Sequence, residues 1–209
     1  MKLNKVVFLD RDGVINQDSP FYVKNWDEFA FLPGSLEALN LLSRKGFELI
    51  VITNQSIINR GTVPLAVLEE THLRMRRAVA RTGGLIRDIF FCPHRPDEAC
   101  ACRKPRPGLI ERACRRYGIQ PENSLMIGDS AKDILCGRRA GCGGTILVRT
   151  GNGPDAQQAL AAQNILPDAV VDDLFHAAQL IVNGKIKPAA LHSKAPPQAP
   201  ASRSSGPDT

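Results

Sequence analysis

Lys5-Val6-Val7-Phe8-Leu9-Asp10-Arg11-Asp12-Gly13 is the stretch that decides how this 209-residue chain is read. Four successive apolar residues, β-branched and aromatic among them, form a short strand buried on both faces, as in the middle of a parallel sheet. Two carboxylates follow at its carboxyl end, where open α/β sheets place their chemistry. Alternation along an extended chain points Asp10 and Asp12 the same way and turns Arg11 aside, while Gly13 can take a backbone conformation that other residues resist. Two acids with one orientation suit a nucleophile and a proton donor. Taken alone, Asp-x-Asp-Gly also suits an ordinary turn or a calcium loop. A calcium loop needs further oxygen ligands and a late Glu, and Val14-Ile15-Asn16-Gln17 supplies no such series.

Outward from this strand, apolar runs alternate with helix-period stretches from residue 5 to 183, which predicts an α/β fold: a three-layer, doubly wound parallel sheet with helices on both faces. Strands are expected at 6–9, 48–52, 89–91, 125–127, 145–148 and 169–171. Helices are expected at 35–44, 64–81, 107–117, 131–140 and 174–182, most of them bounded by glycine or proline. The intervals leave no room for a large cap domain. One domain is expected over 1–187, with a metal-binding loop inserted at 92–102. Residues 188–209, rich in Ala, Pro and Ser with Leu191 as their one large aliphatic residue, are expected to form a disordered tail.

The formal charge of +6 raises the question of a polyanionic partner. Roughly half of the excess lies in Lys185, Lys187, Lys194 and Arg203, set against Asp208. The other basic clusters, Arg74-Met75-Arg76-Arg77 and Arg103-Lys104-Pro105-Arg106, lack the interleaved aromatics of a stacking platform, so no nucleic-acid partner is expected. No apolar run approaches a membrane-spanning length and no secretory hydrophobic region follows Met1, so the expectation is a cytoplasmic protein without a membrane partner. With no long heptad or broad apolar stripe, a monomer is expected.

Three further polar clusters fall at strand ends or helix starts. Thr53-Asn54-Gln55-Ser56 follows the second strand, and Arg103-Lys104-Pro105 precedes a helix, where proline disfavours helix at Lys104. Gly128-Asp129-Ser130-Ala131-Lys132-Asp133 leads from a strand into a helix. Each has a plain alternative: a polar turn, a surface lysine, a helix cap. Their order along the chain is what makes a signal.

The six cysteines divide in two. Cys114, Cys136 and Cys142 are scattered through helical or glycine-flanked segments and read as small apolar residues. Cys92-Pro93-His94, followed after five residues by Cys100-Ala101-Cys102, offers three thiolates and an imidazole in one loop, a donor set that favours a structural zinc site. Its last ligand lies next to Arg103-Lys104.

The four ordered motifs resemble those of the haloacid dehalogenase-like (HAD) phosphohydrolases over residues 5 to about 182. The resemblance implies that Asp10 attacks phosphorus and becomes an aspartyl phosphate, and that Asp12 protonates the leaving oxygen and later deprotonates water. It further implies that Thr53 and Asn54 bind the phosphoryl group, that Lys104 offsets charge, and that Mg2+ is held by Asp10, the backbone carbonyl of Asp12 and Asp129, supported by Asp133. Such chemistry depends on positioning and on neutralising spread negative charge. Cys92-Pro93-His94-Arg95-Pro96, Cys102-Arg103-Lys104-Pro105-Arg106-Pro107-Gly108, Thr53-Asn54-Gln55-Ser56 and Arg60-Gly61 narrow the resemblance to the D,D-heptose 1,7-bisphosphate phosphatase family. That family removes the 7-phosphate of a sugar bisphosphate, leaving heptose 1-phosphate for nucleotide-activated heptose synthesis and lipopolysaccharide. Arg103 is then the contact for the distal phosphate, with Asp18, Ser19, Pro20, Phe21, Gln55 and Ser56 around the substrate and Zn2+ on Cys92, His94, Cys100 and Cys102. The chain departs from the usual pattern at Ile57-Ile58-Asn59 and in a slightly enlarged loop, Asp18-Ser19-Pro20-Phe21-Tyr22. The rival readings are a histidinol-phosphate phosphatase and, in another class, a noncatalytic zinc-stabilised phosphate- or nucleic-acid-binding module.

Overall fold

Successive residues of β1 (Val6–Leu9) face opposite sides of a sheet, and both sides are covered. Val7 and Leu9, with Leu49, Val51, Leu125, Ile127, Ile146 and Val148, enter one core; Val6 and Phe8, with Ile50, Ile52 and Met126, enter the other. The period of two thus divides one sheet between two apolar layers. A computed structural model describes residues 5–188.

In chain order β1 is followed by α1 (Ser35–Arg44), β2 (Glu48–Asn54), α2 (Leu65–Arg81), β3 (Ile86–Cys92), α3 (Gly108–Tyr117), β4 (Ser124–Gly128), α4 (Ala131–Arg139), β5 (Gly144–Val148), α5 (Gly153–Ala162), β6 (Ala169–Val171) and α6 (Leu174–Val182). Helices α1, α2 and α6 cover the first face; α3, α4 and α5 cover the second. All pairings are parallel and the strand order is β3-β2-β1-β4-β5-β6, the three-layer α/β arrangement expected from the alternating pattern.

The chain steps outward from β1 to β3, then returns across the sheet to β4 and steps outward the other way. Its reversal lies between β1 and β4, where a crevice opens at the carboxyl ends of the strands. Leu9 pairs with Ile127, and the Asp10 N–H donates to the Ile127 carbonyl at 3.0 Å, so both strands end at one level. The intervals between β1 and β3 hold one long loop and helices α1 and α2, without a cap.

Several boundaries differ from expectation. β2 runs on through Thr53 and Asn54 because β3 continues to Cys92 and pairs with them through Phe91 and Cys92; at the other end β3 begins early, at Ile86, opposite Leu49. Helix α5 is an element the apolar pattern did not reveal: it opens on Gly153-Pro154 and buries only Gly153, Ala156 and Leu160, too sparse a stripe to read. The expected tail at 188–209 lies, apart from its first residue, outside the described residues.

Candidate active site

Asp10 leaves β1, Thr53 and Asn54 end β2, Asp129 follows β4, Asp133 stands in the first turn of α4, and Lys104 precedes α3; the topology gathers them at the crevice. A cavity of about 270 Å³ opens there, lined by Asp10, Asp12, Thr53, Asn54, Lys104 and Asp129 among others. The Lys104 ammonium is buried between two carboxylates, 2.7 Å from Asp10 Oδ1 and 2.6 Å from Asp133 Oδ1. Both are close ion contacts rather than aligned hydrogen bonds. Asp10 Oδ1 also accepts the Arg11 N–H at 2.7 Å. Asp133 Oδ2 accepts from the Ser130 N–H and hydroxyl, at 3.0 and 2.6 Å. Asp129 Oδ2 accepts from the Asn152 N–H at 2.8 Å and from its amide at 3.1 Å. Among the described residues no donor reaches Asp10 Oδ2 or Asp129 Oδ1, whereas both oxygens of Asp133 are engaged.

Glycines make this crowding possible. Gly13 has φ +77°, and a Cβ there would stand 2.1 Å from Asp129 Oδ2; a Cβ at Gly128 would stand 2.1 Å from that of Asp133. The glycines of the first and fourth motifs therefore let backbone approach carboxylate where no side chain fits.

The electrostatics separates two acids that are two residues apart. Burial, reinforced by Asp133 and Asp129, raises Asp10 well above the ordinary carboxylate range despite the opposing pull of Lys104. Burial also pushes Asp12 upward, but the Arg11 guanidinium and hydrogen bonds from Arg11, Asn16 and Gln55 outweigh it and leave Asp12 below its usual value. This corrects one expectation. Arg11 is not turned aside: the chain bends into a tight turn after β1, the Arg11 carbonyl accepting from the Ile15 and Asn16 N–H groups, and its buried guanidinium folds onto Asp12. Arg11 Nη2 lies 2.8 Å from Asp12 Oδ1, and Nε lies 3.2 Å from both carboxylate oxygens.

Asn54 also does something the motif did not suggest. Its amide donates to the Lys104 carbonyl at 3.3 Å and its side-chain oxygen accepts the Lys104 N–H at 3.1 Å, so the side chain holds the lysine loop. The Thr53 hydroxyl accepts from Gln55 at 2.9 Å and keeps its own proton to donate. Of the loop expected around the substrate, Asp18, Ser19 and Pro20 line the cavity. Phe21 does not: it is 79% exposed, and Tyr22, at φ +62°, takes the inward place. Ser56 and Ile57 are buried away from the lining, since the chain turns back beneath β3 with the Gln55 N–H on the Cys92 carbonyl. Arg103 lines the cavity and is braced by the His94 carbonyl at 3.1 Å.

Sequence reasoning singled out neither Asn152 nor Lys132, which also line the cavity, and of Tyr22 it noted only the enlarged loop that carries it. Asn152 could have been found, because it follows β5 at the same sheet edge and bridges Asp129 to Asp18, the latter at 2.9 Å. His72, against Arg11, gave no signal: beside Leu68 and Met75 it reads as part of an apolar helix face.

The cysteine loop closes on itself. Cys102 Sγ lies 3.3 Å from Cys92 Sγ and 3.5 Å from Cys100 Sγ, Cys92 and Cys100 are 3.5 Å apart, and His94 Nδ1 lies 3.3 Å from Cys102 and 3.5 Å from Cys92. No disulfide forms.

An HAD-hydrolase-like family model matches residues 101–177. The D-glycero-beta-D-manno-heptose-1,7-bisphosphate 7-phosphatase of Bordetella bronchiseptica is 42% identical over 180 residues, covering 85% of this chain and 98% of that protein. The enzyme of the same name from Pseudomonas putida is 41% identical, covering 85% of this chain and 99% of its own length. This chain belongs to the heptose-bisphosphate phosphatase family of HAD-like hydrolases. A crystal structure of the B. bronchiseptica D,D-heptose 1,7-bisphosphate phosphatase, complexed with magnesium and phosphate, superposes with a TM-score of 0.80 over 86% of this chain and 99% of that one, at 42% identity.

For a member of this phosphatase family, the donor sets can be tested against the metals implied. Ligand oxygens of the half-buried Asp10 and the buried Asp129 and Asp133 lie within 4.8 Å of one another, three carboxylates against the single charge of Lys104. Burial and Asp133 push Asp129 up to about 6, the mark of an acid short of positive charge. A hard divalent cation fits this set, with the undonated oxygens of Asp10 and Asp129 free to ligate it while Asp133 Oδ1 lies against Lys104. In the loop, a tetrahedron with Zn–S bonds near 2.3 Å has S–S edges of about 3.8 Å, within a few tenths of the observed separations. The Cys/His cluster fits zinc.

Proposed function

We propose that this chain is a magnesium-dependent phosphatase that removes the 7-phosphate of D-glycero-D-manno-heptose 1,7-bisphosphate and leaves heptose 1-phosphate. The observation that carries the reading is the Asp10 carboxylate, one oxygen held by the Arg11 N–H and Lys104 and the other undonated, at the β1/β4 reversal beside Asp129 and Thr53. Asp10 attacks phosphorus, the ester P–O bond breaks and an aspartyl phosphate forms. Asp12 gives its proton to the departing sugar oxygen. It then takes a proton from water, which attacks the acyl phosphate, releasing phosphate and restoring Asp10. The charge of the bound phosphoryl group opposes the pull of Arg11 on Asp12 and favours the protonated acid when it is needed. The Thr53 hydroxyl and Lys104 hold phosphoryl oxygens, and Asn54 keeps Lys104 in place. Asp10, Asp129 and the Asp12 carbonyl would hold magnesium, whose charge neutralises the phosphoryl oxygens.

Arg103 and Lys132 border both the catalytic cavity and an adjoining one of about 310 Å³ flanked by Arg95, Arg106 and Arg139; this basic ground suits the second phosphate. Zn2+ on Cys92, His94, Cys100 and Cys102 sets the position of Arg103 and Lys104. The proposed enzyme is a cytoplasmic monomer serving surface-heptose synthesis; no helix among the described residues is long and apolar enough to cross a membrane. Phosphate release from the sugar bisphosphate and from histidinol phosphate, measured on metal-replete protein, tests the reading: kcat/KM is expected to favour the bisphosphate strongly, and the opposite order overturns it.

A further inference from the structure

We propose that His72 is a positioning residue for proton transfer, fixing the Arg11 guanidinium that in turn aims the Asp12 carboxylate. The inference rests on the phosphatase reading above and adds to it a residue outside the cavity.

Arg11 is 1% exposed, so each of its donors needs a protein partner. Nε and Nη2 face Asp12, and Nη1 lies 3.3 Å from His72 Nε2. His72 projects from α2, buried and set edge-on to Phe91 with ring centroids 6.0 Å apart. A guanidinium tolerates an imidazole at that distance only if the ring is neutral with its Nε2 lone pair facing the N–H. The surroundings enforce that state, because burial and the Arg11 charge hold His72 down at about 3. The ring is therefore a fixed acceptor. It stops the long Arg11 side chain from swinging, and with it the fork that grips Asp12.

Asp12 has two further donors, Asn16 Nδ2 at 2.9 Å and Gln55 Nε2 at 2.8 Å, which hold the carboxylate from other sides. Loss of His72 thus loosens one of three supports. Asp12, the proposed proton donor, must meet a leaving oxygen, and small displacements of such a group weaken proton transfer steeply. Since His72 does not line the cavity, any effect on chemistry passes through Arg11.

Esters with different leaving groups separate this role from general damage. An alkyl phosphate such as the sugar bisphosphate needs its leaving oxygen protonated; 4-nitrophenyl phosphate does not. His72→Leu is expected to lower kcat/KM about tenfold on the sugar bisphosphate and less than about twofold on the aryl ester. His72→Gln, whose Oε1 takes the place of Nε2, is expected to restore the sugar bisphosphate rate to within about threefold, whereas His72→Asn, too short to reach Arg11, is not. Should the leucine variant not fold, the glutamine and asparagine variants carry the same comparison. Equal losses on both esters, or glutamine as impaired as asparagine, overturns the role of His72 alone. Wild-type protein that hydrolyses neither ester overturns the phosphatase reading and this role with it.

Discussion

Two clusters of side chains with the donor sets of metal sites flank Arg103-Lys104, and they are built in opposite ways. Cys92, His94, Cys100 and Cys102 come from one loop, their donor atoms 3.3–3.5 Å apart with one another as nearest partners. Burial pushes the Cys92 thiol far up. Asp10 and the Asp129–Asp133 pair come from two distant stretches fixed by a sheet, and Lys104, Ser130, Asn152 and the Arg11 N–H already hold them. One cluster is gathered by its own donor atoms alone; the other is held by surrounding side chains and backbone that are not among its acids.

The sharpest break of that contrast is Asp10→Asn, which should lower turnover about 10³-fold or more and abolish phosphoenzyme, while Tm moves by no more than a few degrees. A melting loss as large as that of a loop variant would erase the distinction. Next comes Cys102→Ser: zinc content by elemental analysis should fall well below one per chain, with a loss of about 3 kcal/mol, or roughly 6–12 °C in Tm for a chain of this size. Undiminished zinc would show that the loop does not depend on this thiolate. Gly13→Ala probes the sheet edge itself, since its Cβ would collide with Asp129 at φ +77°. A stability loss of about 1–2 kcal/mol and about tenfold weaker magnesium binding by calorimetry are expected; unaltered magnesium affinity would mean that Asp129 has room to move.

A smaller effect lies in pH. His72 is held at about 3 when folded, against 6.5 when free, so the unfolded chain binds a proton that the folded one refuses. Its contribution is whole above pH 6.5 and is lost as pH falls toward 3, by up to about 1.4 kcal/mol per unit. Urea titrations of His72→Leu between pH 4.5 and 7 should show a flatter acid slope than wild type; an identical slope would refute the neutral ring. Smallest of all, Phe21→Ala should change kcat/KM less than about twofold, because the side chain points to solvent. A tenfold loss there would return Phe21 to the substrate loop.

The contrast also explains what could be read from residues alone. The cysteine loop was legible whole, because three thiols and an imidazole within one short segment have few other ways to lie. The sheet-edge acids were legible through a rule of position: each follows a strand or starts a helix. Side-chain direction was not. Arg11 folds back onto Asp12 because a turn after Leu9 ends the alternation, Asn54 reaches Lys104 only because β2 runs to its end beside the lysine loop, and Phe21 yields to Tyr22 through a positive φ.

From its order of apolar and polar residues, the chain determined the alternation of strands and helices, the identity of the acids at the sheet's working edge, and the composition of the cysteine loop, since each depends on neighbours a few positions away. Tertiary structure alone decided which groups meet: Lys104 between Asp10 and Asp133, Arg11 between the Asp12 carboxylate and the neutral His72 ring. Burial with Asp133 and Asp129 nearby lifts Asp10 against the pull of Lys104, while Arg11 outweighs burial at Asp12, because electrostatic coupling follows distance and burial in space, not separation along the chain.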